Sequence, residues 1–329
     1  MDKDLKDRIE QVIKGGMSPG CSVLVTKKEK ELFRLSTGNF SDTDITVVTS
    51  DTLFDLASIT KLYTSAIILT AEKEGKLNIL DKVAKYLPIF EKSELTIQDL
   101  MTHQANFGKR LSEYRDKYQK SFGVEILKVV PPIKATQDVH YENITYLFLG
   151  QLVETIYQEP LRAIFSDFFR THDLISTKLG SSDKEKLVSP PTEVREGEIV
   201  QGHTHDESAD LMGGIAGNAG IFASTNDLAK FGRLWLEGKF VSRDNLKKVF
   251  TDYSKAGTRS QGLGWHQDLY GQSTKDWGVY LHAGYTGGLL AVHPSSSTAC
   301  AFNCNRTYYG RDNTKHREIL KMLAEHISK

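Results

Sequence analysis

This sequence has few cysteines, no net charge and no long hydrophobic run, and each of these features argues against a class of protein. The three cysteines among 329 residues, Cys21, Cys300 and Cys304, form no CxxC pair. A disulfide framework or a zinc ribbon is therefore not expected, and the thiols are predicted to be buried and unpaired. Lysine plus arginine and aspartate plus glutamate each number 42, so the net charge is zero, which argues against a nucleic-acid partner.

A membrane span and a secretion signal are also missing from the pattern. The longest apolar run, residues 66–71, is far shorter than the ~20 residues that cross a bilayer. Residues 1–6 are charged and lack the apolar stretch typical of a signal peptide. We expect no membrane span and a cytoplasmic location, or a periplasmic or cell-surface location if a leader was removed.

The distribution of helix and strand patterns along the chain predicts an α+β fold. An amphipathic helix over residues 4–14 precedes two strand-like segments, and a helix-rich block over about residues 76–215 precedes three more. The chain closes with an amphipathic helix over about residues 313–328, and Thr225 is predicted to cap a helix over 227–236. Strands on both sides of a helical block indicate one antiparallel sheet, flanked by the N- and C-terminal helices, with an inserted mainly helical lobe.

A Ser-x-x-Lys pattern occurs twice and is the first indication of chemistry. A lysine three residues after a serine lies one helical turn away on the same face, where a neutral amine can accept the proton of an attacking hydroxyl. Ser58-Ile59-Thr60-Lys61 follows an apolar segment and opens a helix of buried type, whose N-terminal N–H groups can stabilise an oxyanion. Ser181 and Lys184 lie in a polar stretch expected to be a solvated loop. We favour Ser58 and Lys61, with an N-cap serine and a surface lysine as the structural alternative.

Two further segments carry groups that a serine hydrolase needs. Tyr141 and Asn143 stand just before an apolar helix. A phenol can shuttle a proton when cations lower its pKa, and an amide can bind a substrate carbonyl. His282 ends a strand and is followed by Ala283 and Gly284, so that a substrate can lie along the strand edge beside backbone N–H groups. The alternatives are an ordinary loop tyrosine and a glycine-rich hairpin with a solvated histidine.

Taken together, these segments resemble the serine β-lactamase and penicillin-binding-protein superfamily over nearly the whole chain. The similarity is greatest to the branch of class C β-lactamases, DD-peptidases, D-aminopeptidases and β-lactamase-like esterases. The similar segments are Pro19–Val23, Phe54–Lys61, Leu100–Gln104, Tyr141–Asn143, His205–Glu207, Gly213–Gly220, His282–Gly288 and Asn305–Asn313. The chain departs from the usual motifs at three places: Gln104-Ala105-Asn106 replaces Thr-Ser-Gly, Asn218 replaces a histidine, and His282 replaces the lysine of Lys-Thr-Gly.

The resemblance implies one β-lactamase-like domain over residues 1–329. Its sheet lobe would span about residues 1–57 and 216–329, and its helical lobe about residues 58–215. The implied activity is that of a serine hydrolase that acts through an acyl-enzyme on a small-molecule or peptide ester or amide, D-amino-acid peptides included. The resemblance implies no cofactor and no metal, and it leaves the oligomeric state open.

The resemblance also assigns roles to individual residues. Ser58 would be the nucleophile, Lys61 its base or proton relay, and Tyr141 the second acid/base group. Four residues would bind the substrate: Asn143, His282, Gly284 and Tyr285. The N–H groups of Ser58 and Tyr285 would form the oxyanion hole. Because a histidine is mostly uncharged above a pKa of about 6.5, His282 would hold a substrate carboxylate more weakly than a lysine.

Other hypotheses remain open at this point. His203 and His205 could belong to a zinc site, although Glu207 and Ser208 stand where the metallo-β-lactamase pattern has Asp and His. Within the superfamily, the alternatives are a true β-lactamase and a catalytically weak penicillin-binding or sensor protein. The sequence contains no Gly-x-Ser-x-Gly elbow, no Walker loop and no Gly-x-Gly-x-x-Gly spacing within Gly213–Gly220, which argues against those enzyme classes.

Overall fold

The computed structural model describes residues 2–181, 187–242, 245–255 and 259–329. Its helices are α1 (Asp2–Lys14), α2 (Thr60–Lys73), α3 (Ile97–Met101), α4 (Leu111–Tyr118), α5 (Phe122–Glu125), α6 (Asn143–Tyr157), α7 (Leu161–Thr171), α8 (Glu207–Leu211), α9 (Thr225–Leu236), α10 (Leu246–Val249) and α11 (His316–Ile327). Its strands are β1 (Gly20–Lys27), β2 (Lys30–Gly38), β3 (Phe54–Asp55), β4 (Thr177–Leu179), β5 (Glu193–Arg195), β6 (Glu198–Val200), β7 (Ile221–Ala223), β8 (Asp268–Leu269), β9 (Gln272–Ser273), β10 (Tyr280–Ala283), β11 (Leu289–His293) and β12 (Thr298–Cys304).

Five strands form one antiparallel sheet in the order β10–β11–β12–β1–β2. Strand β12 explains why both faces of this sheet are covered, since successive side chains of a strand point to opposite faces. Ala299 and Ala301 pack into the core that contains α2, α6 and α9. Cys300 and Phe302 pack into a second core beneath α1 and α11. The predicted α+β arrangement, an antiparallel sheet flanked by terminal helices, is confirmed.

Several element boundaries differ from those expected from the sequence. The cap of α9 is Ser224 rather than Thr225, because the Ser224 hydroxyl accepts a hydrogen bond from the Asp227 N–H. The last helix begins at His316, three residues later than expected. The block expected to be mainly helical also contains β4, which pairs with β7, and the hairpin β5–β6. Strands of three residues are too short to show a period of two, which is why the pattern missed them. The division into two lobes stays a prediction.

Helix α2 runs through the interior and carries the candidate base. Its residues from Thr60 to Leu69 are all buried, so the helix is surrounded on every side. Strand β3 ends just before it, and a short 3₁₀ turn over Ala57–Ile59 joins the two. This arrangement places the residues around position 58 where the sheet and the helical core meet.

Two expectations from composition can be compared with the fold. Cys21, Cys300 and Cys304 are buried and unpaired, as predicted. Among the described residues, no helix combines the length and the hydrophobicity needed to cross a bilayer.

Candidate active site

Ser58 and Lys61 lie at the junction of β3 and α2. The distance between Lys61 Nζ and Ser58 Oγ is 2.8 Å, and the Lys61 side chain is fully buried. The structure therefore brings these two groups into the contact that a nucleophile and its base require. Of the other Ser-x-x-Lys pattern, Ser181 is described, whereas residues 182–184, including Lys184, lie outside the described residues.

Tyr141 packs against Lys61 from the segment before α6. Lys61 Nζ lies 5.0 Å from the centroid of the Tyr141 ring, and the guanidinium carbon of Arg259 lies 4.8 Å from the same point. Burial opposes ionisation of the phenol. Other interactions outweigh burial and hold the pKa of Tyr141 below its ordinary value of 10.0. These are the charge of Lys61, hydrogen bonds from Lys61 and Ser58, and the charge of Arg259. This lowered pKa suits a group that exchanges protons during a reaction.

His282 is buried on β10 and faces the same ring. Its ring centroid is 6.2 Å from that of Tyr141, and its Nδ1 atom lies 3.2 Å from the carbonyl oxygen of Ala283. Burial, followed by the positive charges of Lys61 and Arg259, holds the pKa of His282 well below its ordinary value of 6.5. The imidazole is therefore uncharged at neutral pH and supplies no cation for a substrate carboxylate.

The chain segment after His282 lies directly on the turn that contains Ser58. A side-chain carbon built on Gly284 would be 2.6 Å from the carbonyl oxygen of Leu56, so this close approach requires glycine. Among the described residues, neither the Ser58 nor the Tyr285 amide N–H donates a hydrogen bond to another protein group. Both N–H groups are thus available to bind an oxyanion.

The two arms of one cleft meet at Ser58. One arm, here called the wide arm, has a volume of about 490 Å³ and includes Asn143; the other, the basic arm, has a volume of about 310 Å³ and includes His282 and Gly284. Four residues line both arms: Ser58, Tyr141, Tyr285 and Arg311. Asn143 is the first residue of α6, and its side-chain nitrogen lies 3.5 Å from Asp206 Oδ2. All seven residues predicted from the sequence therefore line this cleft or, like Lys61, contact a residue that does.

Comparison with known proteins identifies the family of this chain. The sequence profile of the family described as Beta-lactamase matches residues 6–324. The chain belongs to the Beta-lactamase family. A protein of Escherichia coli K12 named "Putative D-alanyl-D-alanine carboxypeptidase" is 26% identical over 345 residues, which cover 88% of this chain and 79% of that protein. The family and its relatives make this chain a hydrolase of the β-lactamase and penicillin-binding-protein type, and the resemblance drawn from the motifs is confirmed.

Two solved structures share the fold of this Beta-lactamase-family protein. The Beta-Lactamase/D-Alanine Carboxypeptidase from Pseudomonas syringae superposes with a TM-score of 0.78 at 19% identity, over 99% of this chain and 98% of that chain. A class C beta-lactamase superposes with a TM-score of 0.75 at 19% identity, over 98% of this chain and 96% of that chain. These similarities confirm the β-lactamase-like fold.

Sequence reasoning missed the cations in the cleft of this Beta-lactamase-family protein. Four arginines line the described part of the basic arm: Arg259, Arg306, Arg311 and Arg317. Arg306 and Arg311 lie in the Asn305–Asn313 segment, but the four arginines are spread over 59 positions, so only the fold brings all of them together. The charge of Arg311 is neutralised, because Arg311 pairs with Glu193 and Glu207.

The remaining arginines leave the basic arm with a positive excess. Arg259 Nε lies 3.7 Å from Asp268 Oδ1, which offsets its charge in part. Arg306 instead donates to the carbonyl oxygens of three residues: Tyr285, Arg311 and Asn313. The Arg317 guanidinium lies 4.6 Å over the Tyr270 ring. Because carbonyls and an aromatic face do not cancel a charge, this arm suits an anionic group.

The two histidines of the zinc hypothesis contact different acidic residues in this Beta-lactamase-family protein. His205 Nε2 lies 3.1 Å from Glu193 Oε2, whereas His203 Nδ1 lies 3.8 Å from Asp210 Oδ1. Across the part of the chain that the structure describes, no group of three or more His, Cys, Asp or Glu side chains is arranged to hold a metal ion. His205 instead lies beside the cluster of charged side chains around Glu193.

Proposed function

We propose that this protein is a serine hydrolase that works through an acyl-enzyme on an ester or amide substrate. The observation that carries the proposal is the 2.8 Å contact between Lys61 Nζ and Ser58 Oγ at the point where the two arms of the cleft meet. In this arrangement Lys61 acts as a proton relay: its amine takes the hydroxyl proton as the oxygen attacks and passes one of its own protons to the phenolate of Tyr141, whose pKa is lowered.

Acylation begins when Ser58 Oγ attacks the substrate carbonyl and Lys61 takes its proton. The N–H groups of Ser58 and Tyr285 stabilise the negative carbonyl oxygen of the tetrahedral intermediate. As the intermediate collapses, the bond to the leaving group breaks, and the proton passes from Lys61 through Tyr141 to that group. Water then attacks the acyl carbonyl and gives one proton to Tyr141. As the acyl–oxygen bond breaks and the free acid leaves, that proton is relayed through Lys61 to Ser58 Oγ, which restores the hydroxyl.

The charges in the cleft favour a substrate with a carboxylate close to the scissile bond. His282 is neutral, but Arg306 and Arg317 give the basic arm a positive excess. A peptide that ends in a D-amino acid carries its carboxylate in this position, and the Escherichia coli relative is named for such a reaction. We therefore favour a D-amino-acid peptide with a free C-terminus. This differs from the weak carboxylate binding expected from His282 alone, because that expectation could not include the arginines.

A panel of substrates tests the proposal. Diacetyl-L-Lys-D-Ala-D-Ala and its C-terminal amide form a matched pair, and p-nitrophenyl acetate and nitrocefin complete the panel. We expect kcat/KM for the free acid to exceed that for the amide by about tenfold or more, the effect of one retained ionic contact of ~1.4 kcal/mol. Arg317→Gln should reduce this ratio. The proposal would be contradicted if no substrate of the panel were turned over or formed an acyl adduct, with or without EDTA.

Two alternatives within the family predict different results from the same panel. A true β-lactamase would hydrolyse nitrocefin with kcat/KM near ~10⁶ M⁻¹s⁻¹, within the range of efficient enzymes. A penicillin-binding sensor would be acylated at Ser58 by penicillin but would turn over none of the substrates. Acylation of Ser58 requires its contact with Lys61 in both cases, so turnover of the acyl-enzyme, rather than labelling, distinguishes the hydrolase from the sensor.

A further inference from the structure

Asp55 is a buried carboxylate that the proposed mechanism does not use. It is only 4% exposed and lies at the end of β3, three residues before Ser58. One carboxylate oxygen accepts a hydrogen bond of 2.7 Å from the Ala57 N–H, and the other accepts one of 2.8 Å from the His205 N–H. Asp55 therefore joins two segments that are far apart in the sequence.

A third contact connects Asp55 to the segment that carries Tyr285. The backbone carbonyl of Asp55 accepts a hydrogen bond of 2.7 Å from the hydroxyl of Thr286, the residue after Tyr285. In addition, the ring of His205 stacks on the ring of Tyr285, with centroids 5.7 Å apart. Through Thr286 and His205, Asp55 restrains the position of Tyr285 from two sides.

The turn that Asp55 holds has an unfavourable backbone conformation. Ala57 has a φ of +44°, a region that residues other than glycine rarely occupy. Such a conformation persists only where surrounding contacts impose it. The hydrogen bond from the Ala57 N–H to the Asp55 carboxylate is such a contact, and Ser58 follows directly.

We propose that Asp55 is a positioning residue that fixes both N–H donors of the oxyanion hole, that of Ser58 through Ala57 and that of Tyr285 through Thr286 and His205. This inference rests on the proposed function, because it requires an oxyanion to form at Ser58. Asp55 itself is buried and does not contact the substrate. Its effect is therefore on the transition state, in which the carbonyl oxygen is charged, more than on substrate binding.

The test is Asp55→Asn, measured by steady-state kinetics and by inhibition with phenylboronic acid, whose tetrahedral adduct with serine occupies the oxyanion hole. Asparagine keeps the size of the side chain but places an N–H₂ against one of the two backbone donors. We expect kcat to fall about 10²-fold, the scale of a misplaced oxyanion donor. KM should stay within about threefold, and the Ki of phenylboronic acid should rise in parallel with the loss in kcat.

Asp227→Asn is the matched control for a merely structural role. Asp227 is equally buried at 5% exposure, accepts hydrogen bonds from the Ser176 N–H and the Thr177 hydroxyl, and lines neither arm of the cleft. This variant should lose stability to urea but keep kcat and the phenylboronic acid Ki. If Asp55→Asn keeps both values within threefold of wild type, the inference is wrong.

A second variant keeps the inference testable if Asp55→Asn does not fold. Thr286→Val removes only the hydrogen bond to the Asp55 carbonyl and should lower kcat and weaken phenylboronic acid by about tenfold each; unchanged values would overturn the inference. Labelling the wild type with a fluorophosphonate distinguishes failure of the proposed function from failure of the role of Asp55. Failure to label Ser58 would contradict the proposed function. Labelling of Ser58 together with wild-type kinetics in Asp55→Asn and Thr286→Val would contradict the role of Asp55 alone.

Discussion

Arg259 lies over the face of Tyr141, with its guanidinium carbon 4.8 Å from the ring centroid. Lys61 Nζ is 5.0 Å from the same centroid, so the phenol has two cations beside it. His103 and His282 also pack on this ring, but burial holds the pKa of each well below 6.5, and both are neutral at pH 7. Arg259 therefore supplies positive charge at a site where His282 cannot.

Removing the charge of Arg259 should move the pH dependence of activity. A nearby cation favours the phenolate, so Arg259→Gln should raise the pKa of Tyr141 and shift the limb of the kcat/KM profile that reports its ionisation to higher pH. Arg259→Lys should keep the wild-type limb. Arg317→Gln is the control, because it removes a charge from the same arm but Arg317 lies over the ring of Tyr270 rather than that of Tyr141. A profile for Arg259→Gln that coincides with wild type would contradict this electrostatic role.

Loss of the candidate base should slow acylation far more than loss of a neighbouring lysine. Lys61→Met, which keeps most of the side-chain volume, and Tyr141→Phe should each reduce the acylation rate by about 10²-fold or more, the usual effect of removing general acid/base help. Lys73→Met is the control, because Lys73 is on the same helix but is bonded to the Lys239 carbonyl at the surface. Stopped-flow acylation with a chromogenic ester measures all three. Rates within a few-fold of wild type for Lys61→Met and Tyr141→Phe would refute the roles assigned to these residues.

The buried Glu193 should make stability depend on pH. Burial alone would raise its pKa, but hydrogen bonds from Arg311 and Arg195, together with the close approach of His205, hold the pKa well below its ordinary value. A carboxylate of this kind stabilises the fold above the unfolded-state pKa of about 4.3, and the stabilisation is lost as the pH falls toward the folded-state pKa.

Glu193→Gln should accordingly lower the free energy of unfolding at pH 7 by about 2–3 kcal/mol, since it leaves charged partners unpaired. The difference from wild type should be nearly unchanged at pH 5 and should narrow at pH 3, which lies between the unfolded-state and folded-state pKa values, as measured by urea denaturation. Glu325→Gln is the control, because the ion pair of Glu325 with Lys321 is exposed and should contribute less than about 1 kcal/mol. An equal loss for Glu193→Gln at pH 7 and pH 3 would show that its charge is not the cause.

The sequence was sufficient for those parts of the site that are contiguous in the chain. Ser58 and Lys61 are separated by one helical turn, so their 2.8 Å contact follows from local geometry once α2 forms. The segment from His282 to Tyr285 could be recognised for the same reason. The strands of the main sheet were predicted because each is at least four residues long and contains two or more apolar side chains.

Contacts between distant segments could not be predicted in this way. Arg259 lies in no recognised motif, and its position over Tyr141, 118 residues earlier in the chain, depends on the tertiary fold. Asp55 was included in the nucleophile segment, but its bond to the His205 N–H joins residues 150 positions apart. Both Ser224 and Thr225 carry a hydroxyl, so the sequence could not decide which of them caps α9. Ser224 is the cap because its backbone is extended, with a ψ of 159°.

The most direct test of the account is to identify the residue that becomes acylated. The intact protein is incubated with a fluorophosphonate or with penicillin, digested and examined by mass spectrometry, together with the variants Ser58→Ala and Ser181→Ala. We predict one adduct on the peptide that contains Ser58, which disappears in Ser58→Ala and persists in Ser181→Ala. An adduct that survives Ser58→Ala, or that is lost in Ser181→Ala, would contradict the assignment of Ser58 as the nucleophile.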